Sequence, residues 1–229
     1  GLYRSTDGGD RWVRVSTMVI DPVLSPAPID FTATRGISTV VIEPGNPQTM
    51  YVATATAMYG MTAVRGGQSQ VTGSLQPRTG LYKTDNGGTT WTLVWVPPLA
   101  PILPVNPHLG VGVSDTMTGV RHVKLDPRNV KVVYASAWNN GIFRSAPSLE
   151  SGDASFKQVY AIVSLQQFQD LAMFDLTVKD GRTRIYAYNG TQATAPQGLY
   201  RLDNAEVPAS ALVSGGANTS AWIGLSSSN

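Results

Sequence analysis

The 229-residue chain contains no cysteine. That excludes disulfides, thiolate nucleophiles and cysteine-ligated zinc or iron–sulfur centres. It leaves the compartment open, because a domain of this size buries a core without covalent staples. Charge is scarce as well. Charged residues are 14% of the chain, against roughly 25% in an average soluble domain. The net charge is only +2, and no Lys/Arg cluster exceeds two adjacent residues, which excludes an electrostatic claim on nucleic acid or an anionic membrane. No apolar run approaches the roughly 18 residues of a membrane-spanning helix. The only histidines, His108 and His122, share no metal-ligand spacing, so neither metal nor cofactor is expected. Helical periodicity is nearly missing too: 163–173 is the one candidate, and it is short.

What the chain does have is repetition. Gly1-Leu2-Tyr3-Arg4-Ser5-Thr6-Asp7-Gly8-Gly9-Asp10-Arg11-Trp12 aligns without a gap with Gly80-Leu81-Tyr82-Lys83-Thr84-Asp85-Asn86-Gly87-Gly88-Thr89-Thr90-Trp91. Weaker copies begin at Gly141-Ile142-Phe143-Arg144-Ser145 and Gly198-Leu199-Tyr200-Arg201. A second element precedes the last three. It runs Val40-Val41-Ile42-Glu43-Pro44-Gly45-Asn46-Pro47 and then Met50-Tyr51-Val52-Ala53. It recurs as Val123-Lys124-Leu125-Asp126-Pro127-Arg128-Asn129 with Val132-Val133-Tyr134-Ala135, and as Phe174-Asp175-Leu176-Thr177 with Arg184-Ile185-Tyr186-Ala187. Each unit therefore reads as four short strands joined by Pro, Asn and Gly turns. Tandem four-stranded antiparallel units describe the blades of a β-propeller, so the fold class expected is all-β.

These motifs resemble the Asp-box (bacterial neuraminidase repeat) superfamily, whose pattern is Ser/Thr-x-Asp-x-Gly-x-x-Trp/Phe between the third and fourth strands of a blade. Ser5, Asp7, Gly9 and Trp12 match it in full. Thr84, Gly88 and Trp91 match it with Asn86 in place of the Asp. The copy from Ser145 to Phe156 is stretched by an insertion. The accompanying strand-Asp-Pro-x-Asn and x-Val-Tyr-Ala elements resemble the branch of sortilin-type receptors, photosystem II assembly factors and tandem-propeller xyloglucan hydrolases. The motif's chemistry is structural. The carboxylate accepts N–H groups of its own turn, glycine supplies positive φ, and the indole packs between strands. Asn86 offers the same acceptor, so that turn is expected to persist.

The expected organisation is one propeller region over 1–229. Residues 1–15 form an outer half-blade, 37–95 a blade with an insertion at 56–79, 120–160 and 171–213 two more, and 220–229 the start of another. About four blades' worth suggests part of a larger ring, with the remaining blades elsewhere in a parent chain.

Function is expected on the face that carries the long loops, because long loops on a rigid scaffold are commonly functional. The loop at 56–79 holds Met58, Tyr59, Met61, Arg65 and Arg78. The loop at 96–118 places Pro98, Pro101, Pro104 and Pro107 at three-residue spacing, which suits polyproline II, and it ends near Asp115. Trp138-Asn139-Asn140 joins an aromatic face to two amides, a combination that contacts sugars or peptides. Arg121 and His122 lie on an inner strand, one expected toward the channel and the other toward a blade interface. The candidate ligand- or partner-binding residues are thus Tyr59, Arg65, Arg78, Asp115, Arg121, Trp138, Asn139 and Asn140.

No catalytic constellation stands out. Glycoside hydrolysis needs two carboxylates across a cleft. The loop positions where the xyloglucan-hydrolase resemblance would place one hold Thr56-Ala57-Met58, Trp138-Asn139-Asn140-Gly141 and Asn189-Gly190 instead. Asp30, Asp115 and Asp170 sit on interblade loops with nothing to pair them. The leading expectation is a protein- or glycan-binding scaffold, extracellular or periplasmic and bacterial, since Ser, Thr, Asn and Gln replace charge on its surface. The alternative is a carbohydrate-active hydrolase with part of its site outside this chain.

Overall fold

A computed structural model describes residues 1–21, 23–33, 35–55, 77–98, 119–137, 140–147, 155–162, 172–189 and 198–225. These residues form an all-β structure of antiparallel sheets. Helical content among the described residues is slight and includes a 3-10 turn at Ala209–Ala211. The chain opens with two hairpins: β1 (Tyr3–Arg4) pairs with β2 (Val13–Arg14), and β3 (Met18–Asp21) with β4 (Ser25–Asp30). Three four-stranded sheets follow. The first contains β5 (Gly36–Glu43), β6 (Asn46–Ala55), β7 (Leu81–Thr84) and β8 (Thr92–Trp95), in that order across the sheet. The second contains β9 (Val120–Leu125), β10 (Val133–Ala137), β11 (Gly141–Arg144) and β12 (Lys157–Tyr160). The third begins with β13 (Ala172–Lys179), β14 (Arg182–Asn189) and β15 (Gly198–Leu202).

Its fourth strand comes late. A small hairpin of β16 (Val213–Ser214) and β17 (Ala217–Asn218) intervenes, and β18 (Trp222–Gly224) then pairs with β15, Trp222 opposite Leu202. The expectation that 220–229 opens a further blade is therefore corrected. The excursion between β15 and β18 displaced the Trp strand beyond the spacing seen in the other units, so it read as a new beginning.

A second correction concerns register. The sequence alignment set Tyr51 against Val133 and Ile185. The structure pairs Tyr51 with Lys83, Tyr134 with Arg144 and Tyr186 with Arg201. The three tyrosines are equivalent, one residue away from the sequence alignment. The third strands fix this, because each places its basic residue opposite the tyrosine. A one-residue slip matters, since it exchanges the two faces of a strand.

Turn chemistry explains the chain reversals. Asp180 and Gly181 both have positive φ, 52° and 70°, between the paired Lys179 and Arg182, as a two-residue hairpin loop requires. The hairpin β3–β4 was not foreseen. Pro26 and Pro28 lie within β4, a strand of a two-stranded pair, where a missing N–H is tolerated.

The sheets stack face to face, with an apolar layer at each junction. Val19 and Phe31 from the second hairpin meet Met50, Val52, Tyr82 and Trp91 of the first sheet. Tyr51, Leu81 and Trp95 meet Val133, Ala135, Phe143 and Phe156 of the second. Tyr134, Ile142 and Tyr160 meet Phe174, Ile185, Leu202 and Trp222 of the third. Each layer is built around aromatic pairs. Phe31 stacks on Tyr82 with centroids 4.2 Å apart, Trp95 on Phe156 at 4.4 Å, and Tyr160 meets Trp222 edge-on at 4.8 Å. Such pairs are worth about 0.5–1.5 kcal/mol beyond the area they bury.

Candidate functional site

The best-defined local chemistry is in the two Gly-Gly turns. In the first, Gly9 N–H donates to Ser5 Oγ at 2.8 Å and Arg11 N–H to Asp7 Oδ1 at 3.0 Å, while Ser5 Oγ donates to the same carboxylate at 2.6 Å. The second repeats this: Gly88 N–H to Thr84 Oγ1 at 3.0 Å, Thr90 N–H to Asn86 Oδ1 at 2.9 Å, Thr84 Oγ1 to Asn86 Oδ1 at 2.9 Å. Asn86 adds a bond that an aspartate lacks, from Nδ2 to Thr90 Oγ1 at 2.8 Å. The Ser5 hydroxyl and the Arg11 amide hold the Asp7 carboxyl below its usual range. The glycines in both turns have positive φ.

The indoles part company. Trp91 is 5% exposed, and its Nε1–H donates to the Ser16 carbonyl at 2.7 Å. Trp12 is 60% exposed, which corrects the expectation that its ring packs between strands. Phe31 lies edge-on to Trp91; on the side where Trp12 projects, no described sheet takes that place.

Polar groups latch the sheets together, and sequence reasoning missed them. Lys131 Nζ donates to both Glu43 oxygens, at 2.9 and 3.1 Å, across the junction between the first and second sheets. One junction on, Thr183 Oγ1 donates to buried Asp126 at 2.7 Å. Strand pairing makes the two latches equivalent: Leu125 lies opposite Val133 as Ile42 lies opposite Met50, so Asp126 stands where Glu43 does. Two of the basic residues on third strands reach forward likewise, whereas Lys83 and Arg201 pair with Asp85 and Asp203 of their own sheets. Arg4 donates to the Gly87 carbonyl at 2.8 Å, and Arg144 to the carbonyls of Ala205 and Val207. The signal available in sequence was the recurrence of Arg after Gly-x-aromatic.

Between the second and third sheets a cleft of about 590 Å³ opens, lined among others by Asp126, Arg128, Tyr134, Arg144, Lys157 and Glu206. Its charges are mixed, and several are engaged: Arg128 pairs with Glu206, Asp126 accepts from Thr183 and from the Arg128 N–H. Among the described residues no group of three His, Asp or Glu side chains is arranged for a metal ion, and no helix is long and apolar enough to cross a membrane.

The sequence candidates disperse. Arg78 grips the 1% exposed Asp21 through two bonds, 2.7 and 2.9 Å, and its carbonyl accepts from Tyr82 Oη, so it ties β7 to β3. Arg121 lies on β9, its carbonyl accepting from Thr39 Oγ1 at 2.7 Å between the first and second sheets. Its neighbour His122 meets Phe174 edge-on at 5.0 Å between the second and third. Asn140 donates to the Pro98 carbonyl and accepts from Gln158 Nε2. The structure does not bring Arg78, Arg121 and Asn140 together. Tyr59, Arg65, Asp115, Trp138 and Asn139 lie outside the described residues. Asp30, read as an interblade-loop acid, ends β4 instead. Partial burial opposes its charge, but bonds from the Thr17 and Thr32 hydroxyls, the Thr32 amide and the Arg14 charge hold its carboxyl below the usual range.

No known protein family matches the chain, and no curated protein does. Among solved structures it is similar to an ancestral GH74 enzyme at 13% identity with a TM-score of 0.31, over 88% of this chain and 33% of that one. The chain thus spans about a third of that enzyme's length, and a likeness of this size carries no argument.

Proposed function

We propose that the chain is a run of Asp-box β-propeller blades acting as a binding scaffold for a protein or glycan, in an extracellular or periplasmic setting. The propeller reading is supported by edge strands that keep one order: β5 contacts β9 and β9 contacts β13, along one side of the stack. That is how the innermost strands of neighbouring blades line an axis.

The scaffold reading rests on one observation, the commitment of four carboxylates, Glu43, Asp126, Asp21 and Asp30, to architecture. Glu43 holds Lys131, Asp126 holds Thr183, Asp21 holds Arg78, and Asp30 is surrounded by hydroxyl donors. A glycosidase needs one carboxyl free to give a proton and another free to attack or to activate water. Carboxylates fixed between sheets are fitted to hold a rigid frame on which loops recognise a partner. The test is a glycan and peptide array read beside a reducing-sugar assay on xyloglucan and sialosides. Capture without sugar release is expected; release of sugar by the purified chain overturns the scaffold reading.

A further inference from the structure

The basic residue on the third strand of a sheet has a repeated setting, and the second sheet departs from it. Lys83 and Arg201 are equivalent, each opposite the tyrosine of its second strand. Each forms an ion pair with an aspartate two residues further on, Lys83 with Asp85 and Arg201 with Asp203. Across the sheet each stands opposite a neutral residue of the fourth strand, Thr92 and Ile223. Arg144 holds the same position in the second sheet. Two residues on, Ala146 replaces the acid, and the residue opposite is Lys157, a second cation. Like charges directly opposite each other on neighbouring strands are unfavourable.

The departure coincides with the cleft of about 590 Å³ between the second and third sheets, which Arg144 and Lys157 both line. Arg144 directs its guanidinium at the carbonyls of Ala205 and Val207, neutral acceptors that leave its charge unbalanced. Lys157 is exposed at the start of β12. The second sheet's other cations are paired, Lys124 with Asp175, Arg128 with Glu206 and Lys131 with Glu43. Among the described residues no such pair includes Arg144 or Lys157. The described lining thus sets three cations, Arg128, Arg144 and Lys157, against two carboxylates, Asp126 and Glu206. One positive charge is left over.

We infer that this cleft is a binding site for a small-molecule carboxylate, its anionic group seated between Arg144 and Lys157. The single excess charge fits a monoanion, whereas a dianion meets the Asp126 and Glu206 carboxylates with one charge uncompensated. The volume lies within the roughly 300–1,000 Å³ of ligand pockets, so the site holds an organic body and not a bare ion. Val132, Ala146 and Pro147 offer that body an apolar wall. A sugar acid and an acylated amino acid both meet this description. The cleft lies where the turns at Asp126–Asn129 and Ser145–Pro147 meet, at the opposite end of the second sheet from the connection between β10 and β11. It is therefore a site apart from the loop face and independent of the scaffold reading.

The test is isothermal titration calorimetry of the whole chain with glucuronate and with N-acetylalanine, which separates the two sources, and with sulfate as the dianion. One of the two carboxylates is expected to bind one to one with a Kd of about 1 mM or tighter, and sulfate about tenfold more weakly. Lys157→Gln, at an exposed position, should weaken the carboxylate about tenfold, the worth of one charge-assisted hydrogen bond. Ala146→Asp installs the acid that the first and third sheets have and should abolish binding with the fold kept, as circular dichroism reads it. Should either variant unfold, the other decides. Glu150 and Asp153 lie outside the described residues, and the Glu150→Gln, Asp153→Asn double variant removes them as rivals for the same cations; it should bind at least as well as wild type. No binding of either carboxylate, sulfate bound as tightly, a folded Lys157→Gln or Ala146→Asp that binds like wild type, or binding by the double variant alone overturns the inference. None of these bears on the array or on sugar release, so the scaffold reading stands or falls separately.

Discussion

Trp12 and Trp91 close two turns with the same hydrogen bonds, yet one ring is in solvent and the other is buried with its N–H satisfied. Removing a buried aromatic costs about 3–5 kcal/mol, and a surface residue within about 0.5 kcal/mol. Urea denaturation of monomeric protein should therefore show Trp91→Ala severely destabilised and Trp12→Ala nearly unchanged. Asn86→Ala removes the acceptor for the Thr90 amide and should cost about 1 kcal/mol, with Asn86→Asp recovering most of it. His122 supplies the pH handle. Burial first, and then the Lys124 charge, push its pKa below the ordinary imidazole value of 6.5. A folded state that resists protonation is fully stabilised above the unfolded pKa and loses that stability as pH falls through the folded one. Thermal melts should drop as pH is lowered below 6.5, and His122→Gln should flatten that drop. At this scale the sequence showed the turns clearly, since Ser/Thr, Asp/Asn and Gly act within a few residues. It could not show that Trp12 is exposed where Trp91 is buried, because burial depends on the sheet opposite.

At the scale of elements, strands and their order within the first two sheets were legible from alternation and turn residues. The one-residue slip at Tyr134 and Tyr186 arose because Val, Tyr and Ala suit either face of a strand, and only the pairing with Arg144 and Arg201 settles which is forward. β18 was misplaced because its separation from β15 is set by a hairpin with no repeat signature. Gly141 tests the packing within a sheet. Its φ is 97°, and an added Cβ would collide with the Tyr160 carbonyl of β12, so Gly141→Ala should cost about 1–3 kcal/mol. Between sheets, Lys131→Ala leaves Glu43 buried without its cation. Lys131 itself is 58% exposed, so the loss should be about 1–2 kcal/mol, below that of a fully buried pair. Equilibrium unfolding in urea checks both.

For the molecule as a whole, the sequence announced tandem four-stranded units but not the latches that join them, because Glu43–Lys131 and Asp126–Thr183 connect residues 88 and 57 positions apart. The candidate ligand-binding residues fared differently: those described serve separate junctions, since a loop-borne arginine or amide looks the same in sequence whether it meets a ligand or a neighbouring sheet. The central claim is that repeated sheets stack face to face, with the second sheet covered on both sides and the first hairpin on one. Native-state hydrogen exchange read by mass spectrometry tests it most directly, because covered strands exchange only through the larger openings. The account predicts the slowest exchange in Val133–Ala137 and Met50–Ala53 and the fastest, among paired strands, in Tyr3–Arg4 and Val13–Arg14. Exchange in Val133–Ala137 as fast as in that opening hairpin would contradict it.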